Sequence, residues 1–450
     1  MKFMKTYTQF IFQKYELAKD KNLVKFYYSL DNKINFVETI SFDALKVDWR
    51  KVNENLLDLV LFNLHLALGI SYYKTHCPKE IVVQSGVLNK KQAGFWDKLY
   101  VNGLGEFFYR NKIDFRGLIK FPYENLKSQP VKFSPNNKSL VPIGGGKDSL
   151  VTAEILKKNK IDFSLFSLGD SVIQEQTARL VGKSRVIIKR TIDPQLFALN
   201  EKGAYNGHVP ISAIYSWVAI LTAVLANYRN IIFSNEHSAN YGNVKYLGRT
   251  INHQYSKSLE FEKDLSQYIK ENITPSINYF SLLRPLSELK ITEIFSHHKK
   301  YFKTFSSCNR NFSINKKTDQ RWCGECPKCA FVWSQLSAFL PREEAIKIFG
   351  KNLYADQKLL NLYLELLGEK NIKPFDCVGT PEEVKLAMYL AEQSGEYNDD
   401  YIIKYFGQKI LPKIKNIKAL NKKVLLSEGK HNVPREFQKI IKLSKIKIYQ

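Results

Sequence analysis

The stretch VPIGGGKDSLVTAEIL, residues 141–156, is the strongest chemical signal in this chain. An apolar lead-in runs into three glycines, and residues 148–158 then place apolar side chains at helical spacing. Such a loop brings backbone N–H groups and the positive end of a helix to one point, where a phosphate group can bind. A plain turn would not need three glycines, since glycine loses more conformational entropy on folding than any other residue. We therefore expect a nucleotide-binding loop built from Gly144, Gly145, Gly146, Lys147, Asp148 and Ser149.

Two common nucleotide motifs do not fit this loop. A P-loop would need glycine in place of Val141 and Ser or Thr in place of Asp148. The dinucleotide fingerprint G-x-G-x-x-G would need glycine in place of Ser149. The loop instead offers the Ser149 hydroxyl as a donor, and Asp148 as a helix cap or a ligand of Mg²⁺.

The rest of the chain has a clear order of elements. From residue 140 short apolar strands alternate with amphipathic helices, which predicts an α/β fold with a doubly wound parallel sheet. Residues 25–42 predict a hairpin, residues 54–68 and 90–109 predict helices, and residues 122–138 resemble a linker. We predict an α+β module over residues 1–135, an ATP-binding domain over 136–335, and a helical region with a basic tail over 336–450.

The net charge of +25 on 450 residues suggests an anionic partner or a Lys-rich compositional bias. No separate RNA-binding motif is evident, so the charge leaves nucleic acid open as a partner without favouring it. The amino-terminal residues lack the apolar core and cleavage site of a signal peptide, and the longest apolar run, residues 211–226, is short for a membrane span. We expect a cytoplasmic protein that does not enter the membrane.

Four of the six cysteines lie within 22 residues. Thiolates at this spacing can close a tetrahedral zinc site, which we favour as a structural site, or hold an iron–sulfur cluster. Cysteines packed without a metal are the third alternative. The four are Cys308, Cys323, Cys326 and Cys329.

Four further segments concentrate polar side chains in the predicted sheet domain: residues 206–217, 234–243, 248–262 and 282–294. His208 precedes a helix, Glu236 follows a predicted strand, and Arg284 precedes Pro285. The polar groups of these segments that we expect to contact substrate are Asn240, Asn243, Arg249, Asn252, Ser256, Lys257 and Arg284.

The loop GGGKDS resembles the S-G-G-x-D-S loop of the PP-loop ATP pyrophosphatases, which cleave ATP to AMP and pyrophosphate. Gly144 stands where that family has its first serine, so one side-chain contact to pyrophosphate is missing. A four-cysteine site similar to the one here also occurs in the 7-cyano-7-deazaguanine synthases of that superfamily.

Residues 140–390, including the segments CNRNF, RWCGECPKCAF and KPFDCVGTPEE, resemble the UDP-N-acetylmuramoyl-L-alanyl-L-glutamate epimerase family of the MurL type. The resemblance implies that ATP and Mg²⁺ are used to invert the terminal L-Glu of a UDP-linked muramoyl dipeptide. Adenylation of a carboxylate would remove its charge and make the neighbouring α-proton easier to abstract. Candidate catalytic groups are Cys377, His208, His253 and Glu236, with His237 as a further candidate.

Two other functions remain open on the sequence alone. A tRNA-modifying PP-loop enzyme, for thiolation or deazapurine nitrile synthesis, would suit the charge and the cysteines, although no pair of catalytic cysteines lies outside the cluster. A nucleotide-binding regulatory protein would hold ATP without turning it over.

Overall fold

The computed structural model describes residues 6–312, 320–370 and 372–446, which form 11 strands and 16 α-helices. The strands are β1 (Gln9–Ala18), β2 (Leu23–Leu30), β3 (Ile34–Ser41), β4 (Glu80–Val83), β5 (Asn136–Pro142), β6 (Phe163–Leu168), β7 (Arg185–Thr191), β8 (Tyr228–Phe233), β9 (Val244–Tyr246), β10 (Arg249–Ile251) and β11 (Asn278–Ser281). The helices are α1 (Glu54–Tyr73), α2 (Lys90–Gly103), α3 (Gly105–Asn111), α4 (Lys147–Lys158), α5 (Val172–Val181), α6 (Pro194–Glu201), α7 (Ile211–Leu225), α8 (Leu259–Asn272), α9 (Glu288–Ser296), α10 (Pro327–Ser337), α11 (Arg342–Phe349), α12 (Leu360–Leu366), α13 (Pro381–Gln393), α14 (Tyr401–Tyr405), α15 (Ile417–Asn421) and α16 (Arg435–Ile446).

Nine of the described strands form one sheet in the order β11-β8-β5-β6-β7-β3-β2-β1-β4. The five strands from β11 to β7 run parallel, which confirms the predicted α/β class with a large, mostly parallel sheet. The other half of the sheet is joined through antiparallel pairing of β7 with β3. The predicted domain boundary near residue 135 therefore does not interrupt the sheet.

Helices cover both faces of the parallel half. Successive residues of a strand point to opposite faces, so Leu140 and Ile231 enter one core and Val141 and Ile232 enter another. Helices α1 and α7 pack in the first core, while α4 and α9 pack in the second. Burial on both faces explains why the parallel strands are continuous apolar runs in the sequence.

The predicted hairpin is confirmed by the pairing of β2 with β3. The strands are joined by three residues, of which Asp31 and Asn32 have φ of 50° and 54°. Asp and Asn adopt this left-handed conformation more readily than most residues. The predicted helix over residues 90–109 is instead two helices, α2 and α3. The break falls at Leu104, which lies between two glycines and has a ψ of 8°.

One described helix, α1, is long and apolar enough to cross a membrane by length and composition. Of its most apolar window, 89% is buried inside the protein. Residues on all sides of α1 contribute to the first core, and Tyr28 and Tyr100 donate hydrogen bonds to its backbone carbonyls. Its apolar character is therefore explained by its position at the centre of the N-terminal half.

Candidate active site

The glycine loop joins β5 to α4 at the carboxyl end of β5. Gly145 has a φ of 85°, and a Cβ at this position would lie 2.5 Å from Cγ2 of Ile173, so both backbone conformation and space require glycine. A Cβ on Gly146, the residue before α4, would lie 2.9 Å from Oγ of Ser307. Within the described residues, no protein acceptor takes the amide N–H groups of residues 144–146. These donors and the start of α4 are available to an anion.

Three carboxylates lie beside this loop, each at the carboxyl end of a different parallel strand. Asp148 is in the first turn of α4, Glu236 follows β8, and Glu288 begins α9 after β11. The chain leaves β5 for β6 on one side and returns to β8 on the other, so the three side chains converge where the strand order reverses. Their carboxylate oxygens lie within 4.8 Å of one another.

The electrostatics of this acidic group fit a divalent cation. The buried Lys147 ammonium hydrogen-bonds Asp148 and Glu288 and offsets part of their charge. Burial raises the pKa of Glu236 and of Glu288 above the ordinary range, and the nearby Asp148 charge raises both further. Carboxylate oxygens are the ligands that Mg²⁺ prefers, and a bound cation would relieve this repulsion.

A reactive thiol lies at the other side of the cleft. Cys377 precedes α13, and Lys257 Nζ donates a hydrogen bond to its Sγ at 3.2 Å. The His253 side chain lies beside the thiol and interacts with it. Burial raises the pKa of Cys377, but Lys257 and His253 outweigh this effect and hold the pKa well below its ordinary value. Lys257 and His253 therefore favour the thiolate of Cys377, the form that acts as a base or nucleophile.

His253 is held from its other side by Glu106 of α3. His253 Nδ1 lies 2.5 Å from Glu106 Oε2, and His208 Nδ1 lies 3.6 Å from the same oxygen. Burial lowers the pKa of His253, but Cys377 and Glu106 outweigh it and raise the pKa to about 9. Burial and the His253 charge lower the pKa of His208 to about 3. His253 is therefore a cation at neutral pH, and His208 is neutral.

One cavity of about 500 Å³ joins the two groups. The glycine loop and Glu236 form one wall, and Lys257 and Cys377 form another. The cysteine-rich segment contributes a third wall through Ser306, Ser307, Asn309 and Lys328. A molecule in this cavity would contact the glycine loop and Cys377 together.

The four clustered cysteines come together behind that third wall. The Sγ atoms are separated by 4.0 Å for Cys308 and Cys326, 3.7 Å for Cys323 and Cys329, and 3.5 Å for Cys326 and Cys329. Zn–S bonds of about 2.3 Å in a tetrahedron place the sulfurs about 3.8 Å apart. The described cysteines therefore fit a zinc ion by spacing and chemistry.

The family models match most of the chain: the MurL N-terminal domain over residues 1–282 and the MurL C-terminal domain over residues 304–421. The chain belongs to the MurL family. A relative from Xanthomonas oryzae pv. oryzae (strain MAFF 311018) is 36% identical over 90% of this chain and 91% of its own length. A relative from Micromonospora sp. (strain ATCC 39149) is 34% identical over 96% of this chain and 97% of its own. Each is named UDP-N-acetyl-alpha-D-muramoyl-L-alanyl-L-glutamate epimerase.

Some of the residues that the sequence singled out line the cleft of this MurL-family chain. Gly144, Gly146, Asp148, Ser149 and Glu236 border it on the loop side. Lys257 and Cys377 border it on the thiol side, with His253 directly behind the thiol.

Other predicted substrate contacts lie elsewhere. Arg284 is fully buried, and its described hydrogen bonds go to Glu262 and to the carbonyls of Glu236 and Lys257. Its guanidinium therefore positions two cleft residues and does not face the cavity. The Asn243 side chain accepts from the His253 amide and donates to the carbonyls of residues 373 and 374.

The remaining predicted contacts lie around a separate pocket of about 290 Å³, which Asn240, Arg249 and Asn252 line. Ser256 is buried beside Lys257 without lining the main cleft. His237 borders a third pocket with α13 and is separate from the thiol group. These positions leave His253 as the histidine that contacts Cys377.

The sequence interpretation missed Glu106, Glu288, Ser307 and Lys328. Glu106 lies in the N-terminal third of the chain, where no local motif marks it. Glu288 follows the helix-capping Ser287, so its position has an ordinary structural explanation. Lys328 lies between two clustered cysteines, and a search for cations beside metal ligands could have found it.

Proposed function

We propose that this chain is an ATP-dependent epimerase that inverts the terminal L-Glu of UDP-N-acetylmuramoyl-L-alanyl-L-glutamate, releasing AMP and pyrophosphate. The names of the relatives support the substrate and the epimerisation. The observation that carries the mechanism is the single cavity in which an anion-binding glycine loop faces a thiolate. A site for activating a carboxylate and a site for moving its neighbouring proton thus share one space.

The loop side supplies the activating half, in the manner of a PP-loop ATP pyrophosphatase. The free N–H groups of residues 144–146 and the start of α4 suit the triphosphate of ATP. Asp148, Glu236 and Glu288 would hold Mg²⁺, which neutralises phosphate charge when bound. Lys328 and Ser307 border the same cavity and can take the contact that the absent serine at position 144 would make.

The proposed reaction has three steps. The carboxylate next to Cα attacks the α-phosphorus of ATP, forming an acyl-adenylate and releasing pyrophosphate. A base then takes the Cα proton into an enolate, and a proton returns to the opposite face. Water finally cleaves the acyl–phosphate bond, giving AMP and a free D-Glu carboxylate.

Cys377 is the base that this site supports best. Its thiolate lies in the cavity, and Lys257 and His253 stabilise the charged form. Lys257 would also offset negative charge that develops on the enolate oxygen. Adenylation matters here because a free carboxylate would place a full negative charge beside the carbanion.

The cysteine cluster is proposed to hold a structural zinc ion that fixes the third wall of the cavity. The Ser306 amide donates to the Gly145 carbonyl, so the segment before Cys308 is tied directly to the glycine loop. Elemental analysis of the purified protein is expected to give about one zinc per chain, and Cys326→Ser is expected to lower it together with the melting temperature. A Cys77→Ala variant is the control, since Cys77 lies outside the cluster.

One experiment tests the whole proposal. Purified protein is incubated with ATP, Mg²⁺ and the L-Glu dipeptide substrate in D₂O, with bulk tRNA as a competing substrate in a parallel reaction. We expect AMP, D-Glu and one deuterium at Cα only with the muramoyl dipeptide. AMP formation or modification with tRNA alone would show that the proposed substrate is wrong.

A further inference from the structure

We propose that Glu106 is a positioning residue that orients the His253 ring against the Cys377 thiolate, so that the N-terminal half of the sheet completes the catalytic site. The catalytic role of this contact rests on the proposed function. All of the residues that make the contact lie in the described part of the chain.

The carboxylate of Glu106 is fixed on both oxygens. Oε1 accepts from Arg110 Nε at 2.6 Å, and Oε2 lies 2.5 Å from His253 Nδ1. The side chain is 7% exposed, so water competes little for these bonds. Because α3 begins after the break at Leu104, Glu106 lies in its first turn and faces the histidines.

The backbone of His253 is held by a different residue. Asn243 accepts from the His253 amide at 2.9 Å and donates to the Pro374 carbonyl at 2.9 Å, which ties the histidine segment to the loop that carries Cys377. The place of the segment therefore depends on Asn243, while the ring's orientation and charge depend on Glu106. This separation predicts that loss of the Glu106 charge changes chemistry more than folding.

The Glu106 carboxylate supplies one of the negative charges around His253 and the thiol. Lys257 and His253 are cations, and Cys377 and Glu106 are anions. The groups that face His253 are Glu106, His208, Lys257, Asp376 and Cys377. Without the Glu106 charge, the buried His253 imidazolium would have less negative charge beside it to offset Lys257. The His253 ring would therefore lose its proton more readily.

A metal ion is the competing explanation, since Glu106, His208 and His253 could also serve as ligands. Bonds of about 2.0–2.2 Å to a tetrahedral ion place two ligand atoms about 3.3–3.6 Å apart. The Glu106–His253 separation of 2.5 Å is too short for two ligands of one ion and lies closer to the roughly 2.7–2.9 Å of a charge-assisted N–H···O hydrogen bond. The geometry therefore favours the carboxylate–imidazole pair.

The test compares Glu106→Gln and Glu106→Asp with wild type in the full-length protein. Glu38→Gln is the matched control, because Glu38 is a fully buried carboxylate of the N-terminal half that pairs with Arg190 at 2.6 Å, away from the thiol. Three quantities are measured: deuterium uptake at Cα as a function of pH, AMP formed per D-Glu, and the alkylation rate of Cys377 by iodoacetamide, read on its own peptide.

We expect Glu106→Gln to lower the maximal rate of deuterium uptake by about 10- to 100-fold with KM for the dipeptide unchanged. The alkaline limb of the uptake profile should move to lower pH, because His253 loses its proton earlier. More AMP should form per D-Glu, since activation continues while proton transfer slows. Glu106→Asp should recover part of the rate, and Glu38→Gln should keep the wild-type profile and AMP ratio even if its melting temperature falls.

An unchanged rate and pH profile in Glu106→Gln would overturn the proposal, as would a matching loss in Glu38→Gln. A second metal ion in wild type that Glu106→Gln lacks would also overturn it, in favour of a metal site. If wild type forms no D-Glu, the proposed function fails, but the alkylation rate still tests the contact. In that case, an unchanged alkylation rate of Cys377 in Glu106→Gln would show that Glu106 does not position His253 against the thiol.

Discussion

The two sides of the cleft are built in different ways. The loop side is one continuous segment, residues 144–149, and much of its chemistry lies in backbone N–H groups that come with the glycines. The thiol side is assembled from Glu106, His253, Lys257 and Cys377, which are separated by up to 271 positions in the chain. Its chemistry lies in side-chain charges that exist only once these segments are packed together.

Because the two sides differ in this way, we expect substitutions on each side to remove a different activity. In the proposed mechanism, loss of a charge on the thiol side removes proton transfer but leaves the loop able to hold phosphate. Loss of a carboxylate on the loop side would remove activation, and proton transfer at Cα would then stop as well because it would depend on the adenylate. Substitutions on the two sides should therefore be separable by measuring AMP and deuterium uptake in parallel.

The largest expected effect is that of Cys377→Ala. Deuterium uptake at Cα should fall by about 10²- to 10⁴-fold, the range for loss of a general base, while AMP formation with the dipeptide stays within a few-fold of wild type. Quenched-flow AMP measurement and mass spectrometry of the product check this. Cys77→Ala, a buried cysteine outside the cleft, is the control and should keep both activities. Wild-type deuterium uptake in Cys377→Ala would exclude the thiol as the base.

Glu236→Gln should lower AMP formation directly, in contrast to Cys377→Ala, which should spare it. Removal of one carboxylate from the acidic group should lower AMP formation about 10²-fold and raise the Mg²⁺ concentration needed for half-maximal rate, with deuterium uptake falling in parallel. A Mg²⁺ titration of AMP release measures both. Glu260→Gln, an exposed residue on α8, should leave the titration unchanged. If Glu236→Gln kept wild-type deuterium uptake while losing AMP formation, the proposed order of steps would be wrong.

Lys257→Met should change the pH dependence on the thiol side. The pKa of Cys377 is held well below its ordinary value, so in wild type the thiolate persists to lower pH than that of an ordinary cysteine. Without the Lys257 charge that pKa rises, so the acid limb of deuterium uptake and of Cys377 alkylation moves to higher pH. At pH 7 the alkylation rate should fall about tenfold for each unit by which the pKa exceeds 7. An unmoved acid limb would show that Lys257 does not stabilise the thiolate.

The smallest effects are expected within the loop and distinguish its glycines. Gly145→Ala should cost about 1–3 kcal/mol of stability and raise KM for ATP, because its φ of 85° and the Ile173 side chain oppose a Cβ. Gly144→Ser should be tolerated, since no heavy atom lies within 4 Å of a Cβ there, and its hydroxyl should lower KM for ATP slightly. Thermal unfolding and ATP titrations measure both, and equal penalties at the two positions would contradict this account of the loop.

Local signals were enough to predict much of the fold. Alternating apolar strands and helices predicted the α/β class, and Asp31-Asn32 between two β-branched runs predicted the hairpin. The pairing of β3 with β7 could not be predicted, because it joins segments about 150 positions apart and leaves no periodicity in either one. For the same reason the sequence suggested a separate module over residues 1–135, although its strands extend the same sheet.

The glycine loop could be identified from its own residues, since backbone conformation and N–H donors are local properties of residues 144–149. The sequence also marked the four cysteines, because metal-binding spacing can be recognised along the chain, and it marked Cys377 and His253 as candidates. Only the tertiary structure placed His253 and Lys257 against Cys377, added Glu106 behind them, and buried Arg284 as a support. Long-range packing decides burial, and burial together with neighbouring charges decides which side chain is ionised and therefore what it can do.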